Sequence, residues 1–202
     1  MSVNLEMKIS PNYSDSNFAN AYKMNDWNKL VEIFYDRLKG RYLEPIKLIL
    51  EGDYKVSEFS GFSILALDCI LIETLNQFYS GKNQTDENPR EKGAVKNAFV
   101  TFLATSENFK SSFSETTAET FYDDFRNGLL HQAQTKNKSL IKIGQSEIVA
   151  TIEGSLIIDR EKFHKAIESE SESYKDKLLN GGNALREMFI KKMKYICNIP
   201  QV

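Results

Sequence analysis

The chain of 202 residues holds only two cysteines and two histidines. Cys69 and Cys197 are far apart and form no CxxC spacing, so neither a disulfide framework nor a thiolate metal site is suggested. Cys69 lies inside an apolar run, where a free cysteine behaves as a small hydrophobe. His131 and His164 have no cysteine at ligand spacing and no HExxH is present, so the expectation is no bound metal and no cofactor. Strong charge of one sign is missing as well: the formal net charge of -2 gives no global footprint for nucleic acid, and any polyanion site has to be local. The apolar run Ile64 to Leu75 is too short, and carries Asp68 and Glu73, for a membrane-spanning helix. The N-terminal stretch MSVNLEMKISPNYSDSNF lacks a basic region followed by an apolar core, so no secretory signal is read there. Gly61-Phe62-Ser63-Ile64-Leu65 lacks the second glycine of a nucleophile elbow. Ser80-Gly81-Lys82 lacks the upstream glycine of a phosphate-cradling loop. No internal repeat or low-complexity tract is found. The expectation is a reduced, cytoplasmic protein that does not associate with membranes.

What is present is an ordinary core-forming composition, 41% hydrophobic and 27% charged, in a length suited to one domain. Residues 1–23 are polar and read as a partly ordered arm, followed by one helical domain over 24–202. Trp27, Leu30, Val31, Phe34, Tyr35 and Leu38 recur at helical spacing behind Asn25 or Asp26 as a cap, with Gly40 as a stop. Tyr42 to Leu50 continues as a second piece with Pro45 near its first turn. After a loop over 51–61, the segment from Ser63 to Ser80 is apolar on nearly every side, which marks a central helix. Asp68, Glu73 and Asn76 stand out on it, because a buried carboxylate is costly unless paired. Either they sit at the helix margin or on neighbouring backbone, or one of them lines a cavity shared with a site elsewhere. Gly81 to Gly93, with Pro89, is a turn-rich connection; Ala94 to Ala104 is a helix, and Thr105 to Ser114 a loop.

Two capping-box spacings, Ser112 with Glu115 and Thr116 with Glu119, place a helix start near 114–117. Ala118, Phe121, Phe125 and Leu129 then form its core face. Asn127-Gly128 is a hairpin signal, yet the flanks repeat with period 3.6, so the helix is preferred. Gly128 costs about 1 kcal/mol in a helix interior, which suggests close approach of another backbone or a kink. From Leu140 the texture turns to short β-branched segments around Gly144 and Gly154, read as a small antiparallel hairpin or meander at about 139–158. Asp159 caps a polar, solvent-facing helix that Asn180-Gly181-Gly182 breaks, and a last helix runs from about Asn183 to Ile196. The lysines at 136, 138, 142 and 191–194 read as solvated faces.

The candidate chemistry lies in FYDDFRNGLLHQAQTK, with Arg126 and His131 on one predicted helix. Five residues advance roughly 500°, leaving the two side chains about 140° apart, so a bend or a second element has to bring them together. The run Arg126-Asn127-Gly128-Leu129-Leu130-His131 resembles the signature of the HEPN superfamily: an arginine, four to six residues, then a histidine, with a polar residue commonly following the arginine. The resemblance extends over the helices from about 63 to 135. It implies a HEPN-like up-and-down bundle and a metal-independent endoribonuclease, often a component of toxin–antitoxin or other defence systems, in which two protomers bring their motif helices together. His131 would exchange the proton of a ribose 2′-hydroxyl or of the leaving oxygen. Arg126 would hold the scissile phosphate, and Asn127 would position phosphate or imidazole, with Asp68, Glu73 and Asn76 as supporting candidates. The implied partners are RNA, a second copy of the chain, and an antitoxin or other defence protein. A subgroup paired with nucleotidyltransferase antitoxins carries tyrosine two residues after the histidine; that position is Ala133 here. The rival expectation is a non-catalytic module of the same fold that binds RNA, a nucleotide or a protein; a third is that the pair is a plain surface feature.

Overall fold

The computed structural model describes residues 7–52, 54–86, 88 and 90–200. The polar segment expected as an arm over 1–23 is largely built into the fold; its residues 1–6 lie outside the described residues, as does Pro89. Helix α1 spans Asp15–Lys23 behind a reciprocal cap, in which Ser14 Oγ accepts from the amide of Asn17 and the Ser14 amide donates to Asn17 Oδ1. The serines and asparagine that read as loop composition are that cap, and Phe18 and Ile9 lie in the core. Asp26 caps α2 (Trp27–Leu38). Gly40 does not end this helix: the chain continues through a π-turn at Lys39–Leu43 into α3 (Glu44–Leu50). A Cβ on Gly40 would fall on the Pro11 ring, so this glycine serves close approach. A short helix α4 (Tyr54–Phe59) occupies the expected loop.

Helix α5 (Gly61–Ser80) is central, with Ile64, Leu65, Leu71, Ile72, Leu75 and Phe78 fully buried. At 20 residues it is longer than its apolar run suggests, and by length and composition it is apolar enough to cross a membrane. Its place is inside a bundle, packed by α6 (Ala94–Thr105), α9 (Arg160–Asn180) and α10 (Asn183–Ile196). The expectation that α9 faces solvent is overturned: it is wedged against both α2 and α5, burying Phe163, Ile167, Tyr174 and Leu178. Those four recur at the steps of one stripe, which the surrounding Glu, Ser and Lys obscure in the sequence. Phe34, Phe78, Tyr174 and Phe189 form one aromatic cluster, and Phe109, Phe113, Phe121 and Phe163 a second. Each buried ring contributes about 1.5–3 kcal/mol of transfer free energy.

The motif segment forms α7 (Glu115–Phe121), a π-turn (Tyr122–Arg126) and α8 (Asn127–Gln132) in one continuous run. Neither expected capping box forms; Ser114 is the cap, accepting from the Thr117 amide at 3.1 Å. The sheet comprises β1 (Leu140–Lys142), β2 (Val149–Ile152) and β3 (Ser155–Asp159), in the order β1-β3-β2. The hairpin β2/β3 is antiparallel, as expected, and turns at Glu153-Gly154 with positive φ at both. β1 departs from the expected meander, pairing parallel to β3 with Leu140 opposite Ile157. This makes β3 the middle strand, and with α7 and α9 also packed against it Leu156, Ile157 and Ile158 are all buried instead of alternating.

Candidate functional site

Phe121, Phe125 and Leu129 point into the bundle as their spacing predicts. This fixes where the residues between them go. Arg126, the last residue of the π-turn, sends its guanidinium inward to α5: Nη2 lies 3.6 Å from Glu73 Oε2, with only 17% and 29% of the two side chains exposed. The same guanidinium packs against the rings of Phe99 and Tyr122, 5.9 and 5.5 Å from their centroids, and its buried Nε has no hydrogen-bond partner. Nη1 donates to Asn127 Oδ1 at 3.2 Å. Asn127 stands four residues before His131 and therefore on the same helix face. His131 is exposed, next to Leu130 at 43% exposure. Arg126 and His131 are thus not brought together directly within one chain; Asn127 is the polar step between them.

Of the supporting candidates, Glu73 alone reaches Arg126, and it also accepts from Thr85 Oγ1 at 3.2 Å. Asn76 donates to the backbone carbonyl of Ala98, which is the neighbouring-backbone reading of that residue. Asp68 is fully buried and engaged elsewhere: its Oδ1 lies 2.8 Å from His164 Nδ1 on α9. Burial raises the Asp68 carboxyl to about 6, against the opposing hydrogen bond and charge of His164. Asp68 Oδ2 and His164 Nε2 are buried without hydrogen-bond partners, and Glu168 Oε1 is 3.8 Å from that nitrogen.

Asp124, two residues before Arg126, is a residue of this region that nothing in the sequence singles out. It is 2% exposed, and its carboxylate accepts from Asn137 Nδ2 and Ser139 Oγ, each at 2.7 Å, while its carbonyl accepts from the Lys136 amide. Ser139 Oγ in turn accepts from the amide of Leu156 on β3. The signal available in the sequence was a second acid beside the first in FYDDFR, with no sign of which one turns inward. Gly128 does serve the expected close approach, to the chain's own return: a Cβ there would collide with the carbonyl oxygen of Gln134. The reversal follows Ala133, whose φ of 51° ends α8 in the left-handed region.

Taken together, the site offers a guanidinium held half-neutralised at the bundle margin, an amide bonded to it, and an exposed imidazole on the amide's face. Among the described residues, no three of His, Cys, Asp or Glu converge as a metal-ligand set. Comparison of the chain with family models, with curated proteins and with solved structures finds no match.

Proposed function

We propose that this chain is a metal-independent endoribonuclease of the HEPN type, working as a homodimer within a toxin or other defence system. The observation that carries the reading is the bond from Arg126 to Asn127, which ties the half-buried guanidinium to the helix face that presents His131. Because Arg126 and His131 diverge within one chain, a second protomer's motif helix completes the site, and exposed Leu130 beside His131 is part of that contact. One imidazole takes the proton from the ribose 2′-hydroxyl as its oxygen attacks phosphorus; the bond from phosphorus to the 5′-oxygen breaks, and the second protomer's imidazole protonates that leaving oxygen. The Arg126 fork and the Asn127 amide stabilise the charge gathering on the non-bridging oxygens. The products are a 2′,3′-cyclic phosphate and a 5′-hydroxyl, and DNA, which lacks the 2′-hydroxyl, is not cut. The test compares wild type with His131→Ala on single-stranded and structured RNA in EDTA. Cleavage by wild type alone is expected; equal cleavage by both, or by neither across varied RNAs, overturns the proposal.

A second reading rests on the Glu73 contact. An arginine neutralised by a carboxylate and packed against two rings is also what a bundle-holding residue looks like. In that case the fold is a non-catalytic module for RNA, nucleotide or protein binding, and RNA is retained without being cut.

A further inference from the structure

A second site lies at the other end of α5, about 18 Å along the helix from Glu73 at 1.5 Å per residue. A cavity of about 580 Å³ opens there, within the ~300–1,000 Å³ range of small-molecule sites, between the α4–α5 junction, β1 and the start of α9. Arg160 lines it and is 3% exposed. Among the described residues its guanidinium hydrogen-bonds only neutral hydroxyls, Ser60 Oγ at 3.3 Å and Ser57 Oγ at 3.5 Å, and its Nε has no hydrogen-bond partner. Among the described residues no carboxylate pairs with it; the adjacent Asp159 is occupied by the amides of Gln145, Glu161 and Lys162. A buried, unpaired cation is costly, and this one stands in the first turn of α9, where the helix dipole also disfavours it. The first turn of α5 has no side-chain cap. Gly61 lets the Ile141 side chain of β1 pack close, 2.8 Å from where a Cβ would stand, with Arg160 Nη1 in ordinary contact at 3.6 Å. Phe59 and Phe62, 75% and 37% exposed, flank the opening, with Lys142 and Glu58 also on its lining.

We propose that this cavity binds a nucleotide through its phosphate. Arg160 and the uncapped amides of α5 hold the phosphate, the base stacks on Phe59 and Phe62, and the Glu58 carboxylate disfavours a bare polyphosphate. The same chemistry is offered by a free mononucleotide and by the 5′-phosphorylated end of an RNA. The inference is independent of the Arg126 and His131 reading. Isothermal titration of the full chain with 5′-AMP, adenosine, inorganic phosphate and a 2′-O-methylated oligonucleotide, with and without a 5′-phosphate, tests it. The methylation blocks 2′-hydroxyl attack, so catalysis does not enter. AMP is expected to bind at least about tenfold more tightly than adenosine or inorganic phosphate if the source is a free nucleotide; the phosphorylated oligonucleotide is expected to outbind its unphosphorylated form if the source is an RNA end. Arg160→Gln is expected to weaken the preferred ligand at least about tenfold without lowering Tm, because it removes an unpaired charge. Phe59→Ala, at an exposed position, is expected to weaken it about tenfold and serves if the arginine variant does not fold. Binding by no arm below about 1 mM, no preference for a 5′-phosphate in either arm, inorganic phosphate as tight as AMP with no preference between the oligonucleotides, or unchanged affinity in both variants overturns the proposal.

Discussion

Arg126 and His131 sit five positions apart in sequence and in different environments, and substitutions at the two should separate accordingly. Arg126→Ala removes one partner of a pair whose side chains are 17% and 29% exposed, between the surface and buried extremes. We expect a loss of about 1–2 kcal/mol in urea unfolding, relieved when Glu73→Gln is added. His131→Ala, at an exposed position, should leave stability within about 0.5 kcal/mol while RNA cleavage is lost. Asp68 supplies a pH dependence. Its carboxyl lies at about 6 in the folded chain, raised by burial from the ordinary 3.8. A raised carboxyl means that the folded state holds a proton the unfolded chain releases, so this contribution is fully present below about pH 4 and lost as pH rises through about 6. Relative to wild type, Asp68→Asn should therefore be more stable at pH 8 than at pH 4.5 by about 2 kcal/mol, as read by denaturant titration at both. His164 and Glu168, which face Asp68, are present in both proteins. Asp68 and Glu73 were legible in the sequence as acids out of place in an apolar helix. Their partners were not, because His164 is 96 residues from Asp68 and only the packing of α5 on α9 joins them.

Among the elements, helices with an uninterrupted apolar stripe were readable from spacing alone: α2, α5, α6 and α10 lie where periodicity puts them. α4 and the whole of α1 were hidden by polar composition. The parallel partner of β3 was hidden because strand direction depends on how the chain returns after α8, which local alternation does not encode. The π-turn before Asn127 was also invisible, since it inserts an extra residue without disturbing the core positions Phe121, Phe125 and Leu129. Gly128 is the sharpest test of this region. Alanine there would gain about 1 kcal/mol of helix propensity, but its Cβ would collide with the Gln134 carbonyl, which is backbone and cannot swing aside. We expect Gly128→Ala to destabilise the fold by about 1–3 kcal/mol in net terms, measured by thermal unfolding.

For the whole molecule, the decisive quantity is association. If the nuclease site spans two motif helices, Leu130→Glu, at a position 43% exposed in the single chain, should convert a dimer to a monomer in sedimentation and abolish cleavage together. A monomer that still cleaves would separate the two, and a dimer that persists with cleavage intact would place Leu130 outside the contact. The mainly helical body with a small sheet could be anticipated from composition and periodicity; which face meets a second copy could not, because an interface residue and a lone exposed leucine look alike in one sequence. The Asp124 carboxylate has a consequence for motion. By accepting from Asn137 and Ser139 while Ser139 accepts from Leu156, it links the motif helix to the middle strand through buried hydrogen bonds. Amides of α8 and of β3 should therefore exchange their hydrogens with deuterium at a common rate, as one opening unit, and Asp124→Ala should split them, with α8 exchanging first.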